Sequence, residues 1–148
     1  MNNREMKSKV MSLGNRLAPR MGGNKSSAFK KAWAIVKAGG LELAVKGVTF
    51  GNRQEALKRL ATYAPDQVRA VLVPEPENRH DPAAVVVLVG VNGGKGLFRL
   101  GYVPRELAPV LAAMRGTHAL QFPALRVVSG TWGRYGKTTF GARVALGI

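Results

Sequence analysis

The segment Glu75-Pro76-Glu77-Asn78-Arg79-His80-Asp81-Pro82 holds the densest set of side chains able to do chemistry. Two glutamates, an aspartate and a histidine lie close enough in sequence to accept protons, hold a cation or take hydrogen bonds from a ligand. A two-metal nuclease would need a second acidic cluster, and the 8 Asp and Glu residues of the chain are too scattered to supply one. No metal and no cofactor is therefore expected. Asn78 and Asp81 also read as plain turn residues, because their side chains fold back on neighbouring amides. His80 sits in a polar loop, which favours exposure and contact. A second group is Trp132, Arg134, Tyr135, Lys137 and Arg143. From Leu111 onward there are five Lys and Arg residues and no acid. Cations that meet phosphates and rings that lie beneath bases can line a groove for a nucleic-acid strand. Arg134 and Lys137 are assigned to such contact, and Trp132 to packing on the body of the domain. Gly136-Lys137-Thr138 lacks the first glycine of a phosphate loop, Gly90 to Gly96 has no Lys-Ser/Thr at Walker spacing, and His118 is isolated. None of these receives a role. The absence of cysteine excludes disulfides, thiolate zinc sites and thiol catalysis.

Charge narrows the partner. The 148 residues carry 23 Lys and Arg against 8 Asp and Glu, a formal net charge of +15. Such a surface attracts polyanions, with nucleic acid first and an anionic membrane as its competitor. No apolar run approaches the roughly 20 residues that cross a bilayer. The longest, Ala83 to Val89, fits a buried strand. Met1-Asn2-Asn3-Arg4 lacks the apolar stretch of a secretory signal. The expectation is a soluble cytoplasmic protein, nucleoid-associated if bacterial, with no membrane partner and no small-molecule substrate.

The elements that must carry these groups follow from periodicity. Residues 1–40 hold nine Lys and Arg and one acid, Glu5. Val10, Leu13 and Leu17 lie at helical spacing, and a turn follows at Pro19 to Asn24. Ser26 or Ser27 caps a second helix whose inner face is Phe29, Ala32, Trp33 and Val36. Both aromatic residues read as core. Lys30, Lys31 and Lys37 on the outer side are candidate phosphate contacts, of the kind that position a protein without reading sequence. From Leu41 the period changes to two. Leu41, Leu43 and Val45 alternate with Glu42, Ala44 and Lys46 in a strand that runs on to Phe50. Asn52 and Glu55 have the spacing of a capping box, and Leu57, Leu60 and Ala61 line the following helix. Strands are expected at Val68 to Val73, Ala83 to Val89 and Leu97 to Val103. A helix opened by Pro104 follows, then two strands between Ala119 and Ile148 joined around Gly130 to Lys137. The pattern suggests a fold that is mainly β with helices (α+β), a small β-barrel or strongly curved sheet of five or six strands with two helices at its ends, preceded by a helical hairpin.

Three motifs connect this order of elements to a family. They are Gly47-Val48-Thr49-Phe50, then Val71-Leu72-Val73-Pro74-Glu75-Pro76-Glu77-Asn78-Arg79-His80-Asp81-Pro82-Ala83-Ala84-Val85, then Gly101-Tyr102-Val103-Pro104-Arg105-Glu106-Leu107-Ala108. On these motifs residues 42–148 resemble the HIRAN domain. Residues 1–40 resemble the helical extensions of small stand-alone bacterial or phage members. The resemblance implies an OB-like fold that binds single-stranded DNA. In fork-remodelling helicases of the family the domain captures the 3′ end of a strand. The terminal base stacks between two aromatic groups, and an aspartate accepts a hydrogen bond from the free 3′-hydroxyl. Carried onto this sequence, the first ring is Phe50, the second position is His80 where the helicases have Tyr, and the carboxylate is Asp81. Thr49 stands where a helicase relative has Arg. His80 is planar but a smaller platform than Tyr.

Phe50 reads equally as core at a strand end or as a base platform. The chain thus divides into a basic helical extension, residues 1–40, and a HIRAN-like domain, residues 41–148. The expected function is a non-enzymatic DNA-binding module that prefers single-stranded 3′-hydroxyl ends, through Thr49, Phe50, Asn78, His80, Asp81, Arg134 and Lys137. It would be accessory to replication, repair or phage DNA processing, with recruitment to a helicase, nuclease or replication complex. The alternatives are a nuclease-like DNA-processing enzyme, a charge-driven RNA or ribosome binder, and a protein-interaction adaptor built on the N-terminal hairpin.

Overall fold

The structure, a computed structural model, describes residues 2–114, 124–131 and 138–147. Its contacts group into two units, one of Met1–Leu41, Glu106–Gln121 and Leu146–Ile148, the other of Glu42–Arg105 and Phe122–Ala145.

In the first unit, helices α1 (Asn3–Leu17) and α2 (Lys25–Lys37) form the expected hairpin. Val10, Leu13 and Leu17 are buried, as their spacing predicts. The cap of α2 differs from expectation. Asn24, not Ser26 or Ser27, occupies it, and its Oδ1 accepts the Ser27 amide at 3.1 Å. Asn24 has extended backbone, so its side chain can reach forward over the first turn, whereas both serines already lie inside that turn. The inner face of α2 is Ala28, Ala32, Ile35 and Val36. Phe29 is half-buried, its ring against Gly14. Trp33 is not core but 41% exposed. The buried positions recur at steps of four, three and one, and Trp33, one residue past Ala32, rotates about 100° off that face. Helix α4 (Ala108–Met114) packs on α1 and buries Val110, Leu111, Ala113 and Met114.

The strands lie almost wholly in the second unit. Strand β1 (Gly40–Ala44) and its continuation bury Leu43 and Val45 and expose Glu42, Ala44 and Lys46, the expected alternation. The strand does not run to Phe50. The ladder ends at Ala44, Lys46 makes an isolated bridge with Tyr102, and Gly47 turns the chain with φ +79°. A positive φ is open to glycine at little cost, and Arg53 Nη1 fixes the turn by donating to the Gly47 carbonyl at 2.6 Å. Helix α3 (Arg53–Leu60) follows, with Leu57 and Leu60 buried and Ala61, expected on its inner side, exposed. The capping box is not formed. Asn52 has ψ 13° instead of extended backbone, and its side chain makes no capping bond.

Strands β2 (Val68–Pro74), β3 (Val85–Val91) and β4 (Phe98–Tyr102) form an antiparallel meander, with Pro74 opposite Val85 and Val86 opposite Tyr102. Val85, Val86, Val87 and Val89 are buried, so β3 is the central strand of that sheet. Strands β5 (Ala124–Thr131) and β6 (Thr138–Gly147) pair antiparallel, and β6 lies between β5 and β1. The six strands thus make two three-stranded sheets, and the fold is α+β as expected. Lys46 links the sheets by pairing with Tyr102. Gly101 permits this, since a Cβ there would run into the Lys46 carbonyl oxygen. Strands β2 and β5 approach each other without a shared ladder among the described residues.

Candidate nucleic-acid interface

The loop between β2 and β3 is built by its own polar groups. Glu75 N–H donates to the Ala84 carbonyl at 2.8 Å and closes its neck, and Asn78 N–H donates to the Glu75 carbonyl at 3.0 Å. Asn78 Oδ1 accepts two amides, from His80 at 2.9 Å and Asp81 at 3.0 Å. Asp81 Oδ1 accepts the Ala83 amide at 3.0 Å, while Oδ2 lies 4.0 Å from Arg105 Nε. Both residues act as turn formers, and each short-range bond satisfies an amide that the loop would otherwise leave to water. Pro74, Pro76 and Pro82 fix φ around this turn and narrow the unfolded ensemble. The result is a stiff loop that presents an exposed His80 and a half-buried Asp81 side by side.

The neck is braced by groups from β4. Tyr102 Oη donates to Glu75 Oε1 at 2.7 Å and accepts from Arg99 Nη1 at 2.9 Å, and Arg99 Nη2 lies 3.4 Å from Glu75 Oε2. The hydrogen bond to the Glu75 carboxylate, then burial, hold the Tyr102 pKa above its ordinary 10.0, so the phenol stays a donor. Sequence reasoning missed this network, although Glu75 and Tyr102 both lie within the quoted motifs. Both Glu75 carboxylate oxygens thus face groups of β4. Among the described residues no group of three His, Cys, Asp or Glu side chains could hold a metal ion.

The turn Gly47 to Phe50 stands at the start of α3. Phe50 is 68% exposed, which removes the reading of it as core, and Thr49 is exposed beside it. The Arg53 guanidinium lies over the Phe50 ring, 6.0 Å from its centroid. Gln54 ties the turn to β6, its Nε2 donating to Val48 O at 3.0 Å and Phe140 O at 2.8 Å while Oε1 accepts the Phe140 amide at 2.8 Å. Arg53 and Gln54 were also missed, and the signal was their place three and four residues after Phe50.

Lys30 and Lys37 are exposed on α2, and Lys31 is half-buried. In the tail, Arg143 and Arg126 both face Glu42, at 3.7 and 3.1 Å. Trp132, Arg134, Tyr135, Lys137 and His118 lie outside the described residues. No helix of the described residues is long and apolar enough to cross a membrane. A protein-family model described as HIRAN domain matches residues 41–138. No curated protein and no solved structure gives a match to this chain.

Proposed function

The chain belongs to the HIRAN domain family, a family of nucleic-acid-binding domains, and on that premise we propose that it binds single-stranded DNA and prefers strands ending in a free 3′-hydroxyl. In this reading residues 41–148 are the binding domain and residues 1–40 a basic extension that adds phosphate contacts through Lys30, Lys31 and Lys37. Phe50 and His80 are the platforms between which the last base stacks, and such stacking tolerates any sequence. Asp81 is the end detector. A carboxylate beside a phosphate chain is repelled unless a donor faces it; a free 3′-hydroxyl is such a donor and a 3′-phosphate is not. Arg105 offsets the repulsion and can take a neighbouring phosphate. Asn78 positions the loop, Thr49 touches the strand beside Phe50, and Arg134 and Lys137 contact phosphates. The domain binds and does no chemistry of its own, so its role is accessory to a helicase, nuclease or replication assembly.

The observation that carries this reading is the Asn78-braced loop, which holds Asp81 with one oxygen committed to the turn and the other toward a cation. Fluorescence anisotropy at physiological salt tests it, with oligonucleotides ending in 3′-hydroxyl or 3′-phosphate against wild type and Asp81→Ala. The wild type should favour the hydroxyl end and the variant should lose that preference. Equal binding of both ends by the wild type would overturn end capture and leave a general charge-driven binder.

A further inference from the structure

Three of the large apolar side chains left exposed on the domain line one cleft. Tyr63, Leu97 and Phe98 are 46%, 43% and 40% exposed around a space of about 820 Å³ between α3 and the β3–β4 hairpin. A fourth, Phe50, lies two residues ahead of Asn52, the first residue of the lining. The cleft therefore begins where the Phe50 turn ends and follows α3. The eight residues of α3 span about 12 Å, which leaves room for a few nucleotide steps.

Charge selects the occupant. Arg59 and Lys95 line the cleft, and neither side chain has an ion pair or hydrogen bond among the described residues. Glu55 is the acid among the lining residues, and it too is unpaired. A second copy of a chain with net charge +15 is repelled at such a face. An apolar peptide would cover the rings and leave both cations without partners. A single strand of DNA meets both demands, because its unstacked bases have free faces and its phosphates face outward. A duplex offers phosphates but no free base faces to the rings.

We propose that this cleft holds the nucleotides preceding a captured 3′ terminus, with bases stacked on Tyr63 and Phe98 and phosphates beside Arg59 and Lys95. The inference rests on the end-capture reading, since Phe50 supplies its starting point. The test uses the full chain and oligothymidylates of two and twelve nucleotides with 3′-hydroxyl or 3′-phosphate ends. Wild type should bind the longer strand more tightly. Tyr63→Ala with Phe98→Ala should cost the longer strand about tenfold or more and the two-nucleotide strand far less, with the end preference unchanged. The surface pair Arg59→Glu with Lys95→Glu, which leaves the rings in place, should give the same pattern and guards against a folding defect. Length dependence that survives both pairs overturns the cleft even if the end preference holds. Loss of the end preference in wild type with cleft dependence intact overturns end capture alone and leaves the cleft as an internal strand site. Self-association without DNA that Phe98→Ala abolishes would assign the cleft to a second copy instead.

Discussion

Asp81 Oδ2 and Arg105 Nε face each other at 4.0 Å, with Arg105 85% exposed. A pair this open contributes little to stability, because water screens it and the long side chain must be ordered to form it. Arg105 is therefore free to serve a ligand. Arg105→Ala should leave the unfolding temperature unchanged, weaken DNA binding, and lower the slope of log affinity against log salt by about 0.7, the value for one phosphate contact on a single strand. Titrations at three or more salt concentrations measure this. An unchanged slope would show that Arg105 touches no phosphate.

The Asn78 side chain organises the loop by accepting the amides of His80 and Asp81. Asn78→Ala removes one acceptor for two donors and should cost about 1–3 kcal/mol where those amides stay out of water. It should also reduce the preference for a 3′-hydroxyl end, because Asp81 is no longer held. Asn78→Asp keeps an acceptor oxygen and should restore both properties. Denaturant melts with end-preference assays separate this positioning role from a direct contact, which Asp would not rescue beside a phosphate.

Tyr102 and Glu75 give a pH signature. The phenol pKa is raised in the folded state by its bond to Glu75 and by burial. The folded protein then binds the proton more tightly than the unfolded chain. The stability contributed is complete below the ordinary tyrosine pKa near 10 and is lost as pH climbs through the raised value. Lysines titrate in the same range, so the readout is wild type minus Tyr102→Phe. That difference should be about 1 kcal/mol at neutral pH, one hydrogen bond's worth, and should shrink above pH 10. A difference constant from pH 7 to pH 11 would mean that the hydrogen bond does not distinguish the two phenol states.

What was legible in the sequence was local. The alternation around Leu43 and Val45, the Val-rich central strand and the hairpin helices follow from side-chain periodicity over a few residues, and the structure has them. The Asn78–Asp81 turn was legible for the same reason, since its bonds span two or three positions. The network of Glu75 and Tyr102 spans 27 residues and depends on strand register, which periodicity alone does not set. The end of β1 was misread because Val48 and Phe50 continue a strand pattern. The positive φ at Gly47 and the grip of Arg53 on its carbonyl override it. Trp33 was misread because its spacing from Phe29 is helical, while the small residues Ala28 and Ala32 allow close packing one step round the helix.

The close approach of Lys46 to β4 sets a steric test of how the sheets are joined. Gly101→Ala would place a methyl group against the Lys46 carbonyl, which itself accepts the Tyr102 amide at 2.9 Å. The backbone on one side must shift, and overpacking of this kind costs about 1–3 kcal/mol. The midpoint of urea unfolding should fall accordingly. Because Lys46 leads into the Gly47 to Phe50 turn, the displaced strand should also weaken DNA binding beyond what the stability loss explains, measured well below the unfolding transition. Gly22→Ala, at the turn between α1 and α2 with φ +67° and open space around it, is the control. It should cost stability through backbone strain alone and leave DNA affinity intact. Equal loss of affinity in both variants would show that the Lys46–Tyr102 link does not position Phe50.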